Sequence, residues 1–372
     1  MILDNLENIS EVDSENMFQM VYDWPELIER TLRFSFEVPK NARIGKYKIS
    51  YEGSISQIVI CGMGGSGISG DYLRTYLEKT SKIPIITQRN YDIPAFIGKD
   101  TVVIFISYSG NTEETISCLI SAIKRSAKVV GLGSGGRLED FFNKYDLPFF
   151  PVLSGYQPRA SFPLLFFPLL KILHELGIYS FDQQALEETI AVFKEMREEL
   201  NPKVLTEKNR AKQIAQSIFG RIPVIWSPFG CVSDRLKCQV NENSKVLAIS
   251  TELPEFNHNH IVGWENWANN NPFIILAFRF PIEHPNVSLR FEITKEILST
   301  KAKIVELIAR GSSLLCQLFS STYLGDYISM YLAILNNQNP SSVISIDFLK
   351  KQLEERANTQ SEIFSSLFKL SG

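Results

Sequence analysis

Little in this chain points to a metal, a membrane or a nucleic acid. Its cysteines are Cys61, Cys118, Cys231, Cys238 and Cys316, an odd number, dispersed and without a C-x-x-C pair. Such usage argues against a zinc site and for reduced thiols in a cytoplasmic protein. Formal net charge is −3, so no basic surface for nucleic acid is indicated. The first residues, Met1-Ile2-Leu3-Asp4-Asn5-Leu6-Glu7, are acidic and lack a basic n-region and an apolar core, so no signal peptide is expected. The longest apolar run, Phe162 to Leu170, is interrupted by Pro163 and Pro168 and closed by Lys171. It is too short to cross a membrane and reads as a buried helix. Histidine, the side chain that titrates nearest neutral pH, occurs only four times.

What is present is ordinary in bulk and unusual in detail. A length of 372 residues with 44% hydrophobic and 21% charged side chains fits a globular protein of about two domains. Two apolar segments each run into a loop of small residues. The first is Ile58-Val59-Ile60-Cys61-Gly62-Met63-Gly64-Gly65-Ser66-Gly67, and the second is Ile104-Phe105-Ile106-Ser107-Tyr108-Ser109-Gly110-Asn111-Thr112. Both read as strand, loop, helix. Glycines let backbone N–H groups approach an anion, and a following helix N-terminus adds a favourable dipole. The hydroxyls of Ser66, Ser107, Ser109 and Thr112 add donors. Neither loop carries the Lys of a Walker A loop, and neither is a G-x-G-x-x-G followed by an acidic ribose binder. The anion expected is therefore the phosphate of a sugar phosphate rather than of a nucleotide. Cys61, inside the first loop, reads as a buried residue ending a strand.

Apolar strands alternate with amphipathic segments, the pattern of an α/β fold with parallel sheets flanked by helices. The plan occurs twice. Strands at residues 57–60, 101–106 and 127–132 are matched by strands at 223–226, 272–278 and 302–307. The third of each set aligns best, AKVVGLGSGG against AKIVELIARGS. Residues 1–40 read as N-terminal helices with a break at Pro25, 41–182 as a first, phosphate-binding domain, and 183–217 as a charged helical linker exposed on the surface. Residues 218–372 read as a second domain ending in an amphipathic helix. The second-half turn Ser227-Pro228-Phe229-Gly230 is poor in donors, so only the first half is expected to hold phosphate.

Few residues remain for chemistry. His174 and His284 read as structural. His258 and His260 sit in the polar stretch Pro254-Glu255-Phe256-Asn257-His258-Asn259-His260, in a loop. With Glu255 or Glu265 they could be taken for metal ligands, but no third ligand has familiar spacing, and a metal is disfavoured. Glu242 ends a helix ahead of a strand expected at Val246–Ile249; it is either a surface carboxylate or one that faces a cleft. Arg159, after Pro158 and before the apolar helix, is either a surface charge or an anion clamp.

The ordered set GMGGSGISGD, SYSGNTEET, QPRAS, NENSK and PEFNHN resembles the bifunctional phosphoglucose/phosphomannose isomerases, from about residue 55 to 353 with a weaker match at Ile346–Lys350. The resemblance implies two tandem flavodoxin-like sugar isomerase (SIS) domains. It implies that Gly65, Ser66, Ser107, Ser109 and Thr112 bind the sugar phosphate, that Arg159 stabilises an enediolate, and that Glu242 is the base moving a proton between C1 and C2. His258 would assist ring opening from the partner subunit of a homodimer with shared active sites, and Lys350 (or its neighbour Lys351) would act near the ring oxygen. The chain departs from the family in having His260 after N-H-N and Pro340-Ser341-Ser342-Val343 ahead of the last helix.

The implied reaction is the interconversion of glucose 6-phosphate and mannose 6-phosphate with fructose 6-phosphate through a cis-enediol, in the cytoplasm. It calls for one base with a pKa suited to neutral pH and for no metal or redox cofactor. The alternatives are another SIS-domain sugar-phosphate enzyme, or a non-catalytic sugar-phosphate sensor. No glutamine amidotransferase domain accompanies the SIS pattern, and residues 1–40 are acidic rather than the basic helix-turn-helix of a sensor.

Overall fold

The computed structural model describes residues 2–268 and 271–371; residues 1 and 372, the outer limits of the expected first and last segments, lie outside them. The chain packs as two compact units, each drawn from two stretches: Glu26–Phe181 with Val343–Gly372, and Met1–Pro25 with Asp182–Ser342.

The unit built on Glu26–Phe181 begins with a hairpin, β1 (Asn41–Ile44) and β2 (Tyr47–Ser50). Its main sheet holds, among the described residues, β3 (Gln57–Cys61), β4 (Ile85–Gln88), β5 (Thr101–Ile106), β6 (Lys128–Gly133) and β7 (Phe149–Pro151), in the order β4-β3-β5-β6-β7 with every pair parallel. This is the flavodoxin-like order. Every residue of β5 and β6 is buried, as expected of parallel strands covered on both faces. The apolar run becomes the helix Phe162–Glu175, with Pro163 in its first turn, and it packs against the helix Gly64–Leu77 through Tyr72 and Phe162, ring centroids 4.9 Å apart. Right-handed crossovers place the helix Glu113–Lys124 on the other face, where Thr359–Phe368 lies against it. The buried ammonium of Lys128 ties the hairpin down by donating to the Ser50 and Glu52 carbonyls, both at 2.8 Å.

The other unit repeats this topology with one strand fewer. Among its described residues are β8 (Ile222–Ser227), β9 (Ile249–Glu252), β10 (Phe273–Arg279) and β11 (Lys303–Ile308), all parallel, in the order β11-β10-β8-β9. Renumbered within each sheet, the orders are 2-1-3-4-5 and 2-1-3-4. The repeat read in the sequence is thus a repeat of topology, with β3, β5 and β6 answering to β8, β10 and β11. The helices Gly230–Ser244 and Leu314–Leu335 pack on one face of this sheet. On the other face Val224, Trp226, Ile275 and Ala277 form a core with Phe256, Trp264, Phe291 and Leu298.

Three local readings change. Residues 183–217 are not a solvated linker: the helices Gln183–Leu200 and Arg210–Ile218 bury Phe193, Met196, Ile214 and Ile218 and pack against Leu314–Leu335. Lys212 is buried against Asp4, but most of their other charges face outward, so composition alone made them look exposed. The division of the chain also differs from the expected boundaries. Residues 1–25 and 183–217 belong with the second sheet, and 343–372 with the first. The break expected at Pro25 is present: Met17–Tyr22 ends with Asp23 as its C-cap, and Trp24–Thr31 starts anew with Pro25 in its first turn, where a missing N–H costs nothing. The strand expected at Val246–Ile249 begins at Ile249, because Leu247 is 78% exposed. No helix among the described residues is long and apolar enough to cross a membrane.

Candidate active site

In an open parallel sheet, ligands bind outside the carboxyl ends of the strands where the strand order reverses. In the first sheet that point lies between β3 and β5, and the loops leaving it are the two small-residue loops. The first turns into the helix Gly64–Leu77, whose internal bonding starts with Ser66 N and Gly67 N donating to Met63 O, at 2.9 and 3.1 Å. Gly65 and Ser66 therefore stand in the first turn. The second loop enters Glu113–Lys124 with Thr112 as its N-cap residue. The Thr112 hydroxyl makes no capping bond and instead lies 2.9 Å from Ser107 Oγ. Ser107 and Ser66 are buried, whereas Ser109 is exposed.

The second loop is braced by groups to which the sequence pattern assigned no role. Gly110 has φ +67°, and a Cβ there would lie 1.7 Å from the Gly135 carbonyl oxygen, so loop 107–112 and the turn after β6 interlock backbone to backbone. Asn111 Oδ1 accepts from Arg137 N at 3.1 Å, and Ser134 N donates to Tyr108 O at 3.0 Å. Tyr108 Oη in turn accepts from Tyr156 N at 2.9 Å, joining the loop to the segment that leads to Arg159.

Arg159 is buried at 5% exposure, in a turn closed by Ala160 N and Ser161 N donating to Gln157 O. That turn abuts the first loop: a Cβ on Gly65 would stand 3.4 Å from Pro158 O. The structure thus brings Gly65, Ser66, Ser107, Thr112 and Arg159 into one unit around one sheet edge, with Ser109 exposed on the same loop. A buried arginine whose turn abuts the first of two donor-rich loops suits a substrate carrying a phosphate at one end and developing negative charge elsewhere. Lys350 lies on the helix Ile344–Ala357, in which no described residue is buried, and Lys351 pairs with Glu355 at 3.7 Å on its surface.

Glu242 and His258 belong to the other unit. Glu242 is half-buried in the last turn of Gly230–Ser244. Beyond it Lys245 takes the left-handed conformation, φ 55°, and donates to Glu242 O at 2.9 Å. His258 is exposed at the end of a 3-10 turn, Glu255–His258. That turn packs by Phe256 on Trp226, centroids 4.8 Å apart, and by Asn257 Nδ2 donating to Thr294 Oγ1 at 2.8 Å. Thr294 lies on Pro285–Leu298, the β10–β11 crossover, while Glu242 lies on the β8–β9 crossover. These crossovers run in opposite directions across the sheet, so right-handedness puts them on opposite faces. Glu242 and His258 of one chain therefore stand on opposite faces of one sheet. His260 rests on Phe256, and burial lowers its pKa. The Glu255 carboxylate accepts from Asn259 at 2.6 Å. His174 Nδ1 sits 3.2 Å from Tyr179 O, and His284 caps Pro285–Leu298 by accepting from Asn286 N, both structural roles.

Residues 207–353 match the family described as bacterial phospho-glucose isomerase C-terminal SIS domain, and residues 54–135 match the SIS domain. A bifunctional phosphoglucose/phosphomannose isomerase of Caldicellulosiruptor bescii is 36% identical over 344 residues, covering 91% of this chain and 99% of that protein. One from Aquifex aeolicus is 38% identical over 304 residues, covering 81% and 91%. In fold, a glucose-6-phosphate isomerase like protein from Thermus thermophilus superposes with a TM-score of 0.61 at 18% identity, over 94% of this chain and 98% of that one. On this footing the chain belongs to the bifunctional phosphoglucose/phosphomannose isomerase family.

Proposed function

We propose that this chain interconverts glucose 6-phosphate and mannose 6-phosphate with fructose 6-phosphate through a cis-enediol, with Glu242 as the base. The observation that carries the reading is the switch-point pair of loops with Arg159 set against the first of them. Gly65, Ser66, Ser107, Ser109 and Thr112 bind the phosphate. That binding energy is spent on orienting carbons several bonds away, so it supports turnover as well as affinity. Glu242 removes the proton from C2 of the aldose and returns it to C1. Arg159 stabilises the enediolate without giving up a proton. Glucose and mannose phosphates differ only at C2 and share that intermediate, so one base serves both.

Ring opening needs a proton shuttled between the ring oxygen and the anomeric hydroxyl. We assign it to His258 of the partner subunit in a homodimer, with Lys350 assisting at the hydroxyl end. The placement of Glu242 and His258 on opposite faces of one sheet supports this division between subunits, and the exposure of His258 leaves its ring available to a partner. The five free thiols fit a reducing, cytoplasmic setting.

The test is a coupled assay of both aldose phosphates with Glu242→Gln. Both conversions fall by about 10²–10⁴-fold, the range for loss of a general base, while calorimetry still detects sugar-phosphate binding. Near-normal turnover in that variant places the base elsewhere. The relatives at 36–38% identity leave the sensor and the other SIS-domain enzymes as the less favoured alternatives.

A further inference from the structure

The end of the helix that carries Glu242 is fixed to an unusual degree. On its N-terminal side, Asn241 Oδ1 accepts from Ala248 N at 3.1 Å. On its C-terminal side, Asn243 and Ser244 are each 1% exposed and both reach Ser329, on the buried helix Leu314–Leu335. Asn243 Nδ2 donates to Ser329 Oγ at 2.9 Å and Ser244 Oγ to Ser329 O at 2.7 Å. Two turns earlier, the buried pair Arg235–Asp326, at 2.7 Å, joins the same two helices. Lys245 then closes the helix. Its backbone sits in the left-handed region, which disfavours a side chain, yet its N–H caps Val240 O. Its ammonium folds back onto three carbonyls, Glu242 O at 2.9 Å, Asn243 O at 3.2 Å and Asn339 O at 2.5 Å. Asn339 is itself held, its amide donating to Ser14 Oγ at 3.0 Å.

A helix needing only to end there would use glycine, which meets the same φ without strain. Lysine instead supplies a charge at the negative end of the helix and a clamp that ties the backbone of Glu242 and its neighbour to Asn339 O. Strain retained at one residue, over-determined by its surroundings, is what an exact side-chain position calls for. We propose that Lys245 is a positioning residue for Glu242: with the Asn243–Ser329 contact, it fixes the backbone from which the carboxylate reaches the substrate carbons. This inference rests on Glu242 being the base.

The experiment compares Lys245→Met, Lys245→Arg and Ser329→Ala with the wild type in the coupled assay, with circular dichroism to establish folding. In Lys245→Met, kcat for both sugar phosphates falls by about 10²-fold, the scale of a 1 Å misplacement. KM stays near the wild-type value, because the phosphate loops are untouched. Lys245→Arg, which keeps the charge and the donors, recovers most of the rate. A folded Lys245→Met with wild-type kcat, or with its loss confined to KM, overturns the proposal. Should Lys245→Met not fold, Ser329→Ala decides: a kcat-selective loss supports the clamp and wild-type kcat overturns it. Glu242→Gln, run in parallel, separates the two layers. If it turns over normally, the assignment of the base has failed. If it is inactive while the other variants are normal, only the present proposal has.

Discussion

Gly110 shows how much of a phosphate grip is backbone. Its φ of +67° and the 1.7 Å approach of Gly135 O to where a Cβ would stand leave no room for any side chain. Gly110→Ala is expected to cost about 1–3 kcal/mol from strain at that φ alone, with the clash in addition. It also displaces Ser109 and Asn111 on either side. Denaturant titration reads the first effect and calorimetry with sugar phosphate the second; a variant unchanged in both would show that the loop adapts. The motif SYSGNTEET was legible as a donor-rich loop, but its bracing by Asn111, Tyr108 and Gly135 was not, since those contacts join segments 25 to 48 residues apart. Lys245 is a similar case. It lay in plain view in NENSK, yet a lysine after a helix reads as a solvated charge until its carbonyl partners are known.

At the scale of elements, the central strands were readable and, apart from β11, the edges were not. β3, β5, β6, β8 and β10 are mostly buried apolar runs of five to seven residues, strong signals in any parallel sheet. β4 and β9 lie at sheet edges, where most of their residues are half-buried or exposed, and β7 has three residues, so none carries a clear period. The helix Gln183–Leu200 was missed as a packed element for a different reason: one of its packing contacts is made by a carboxylate of its own. Glu188 accepts from Ser312 N at 2.6 Å, Ser312 Oγ at 2.7 Å and Ser313 N at 3.0 Å, at the N-terminus of Leu314–Leu335. An acidic side chain there complements the helix dipole. Although burial opposes ionisation, these donors hold the carboxyl down at about 2, against 4.5 for a free glutamate. A group whose folded pKa is depressed stabilises the fold above its unfolded pKa and loses that contribution as pH falls through the folded one. Glu188→Ala should therefore be less stable than wild type at neutral pH, with the gap narrowing between 4.5 and 2. Denaturant midpoints measured down this range check it; a gap independent of pH would assign the effect to packing rather than charge.

For the whole molecule, the decisive question is whether each active site takes residues from two chains. Opposite-face placement of Glu242 and His258 gives a direct test by complementation. Glu242→Gln and His258→Ala are each expected to be inactive alone. Mixed after subunit exchange, the hybrid dimer regains one site that has both residues, because the base comes from one chain and the imidazole from the other. With random pairing about a quarter of wild-type activity returns, as two-fold symmetry dictates. No recovery from a mixture shown by native mass spectrometry to contain hybrids would put both residues in the same chain's site.

The chain's two units are each assembled from an early and a late stretch, Met1–Pro25 with Asp182–Ser342 and Glu26–Phe181 with Val343–Gly372. During synthesis, then, neither can finish in the order in which it leaves the ribosome. The stretch Met1–Pro25 must wait, apolar faces exposed, for a partner more than 150 residues downstream. The first sheet, though complete by Phe181, receives the helices of Val343–Gly372 only after the whole second sheet has been made. Domains usually fold as units while the chain emerges. Here the nascent polypeptide carries two unfinished surfaces at once through most of its synthesis, and no single cut through the gene yields either half whole.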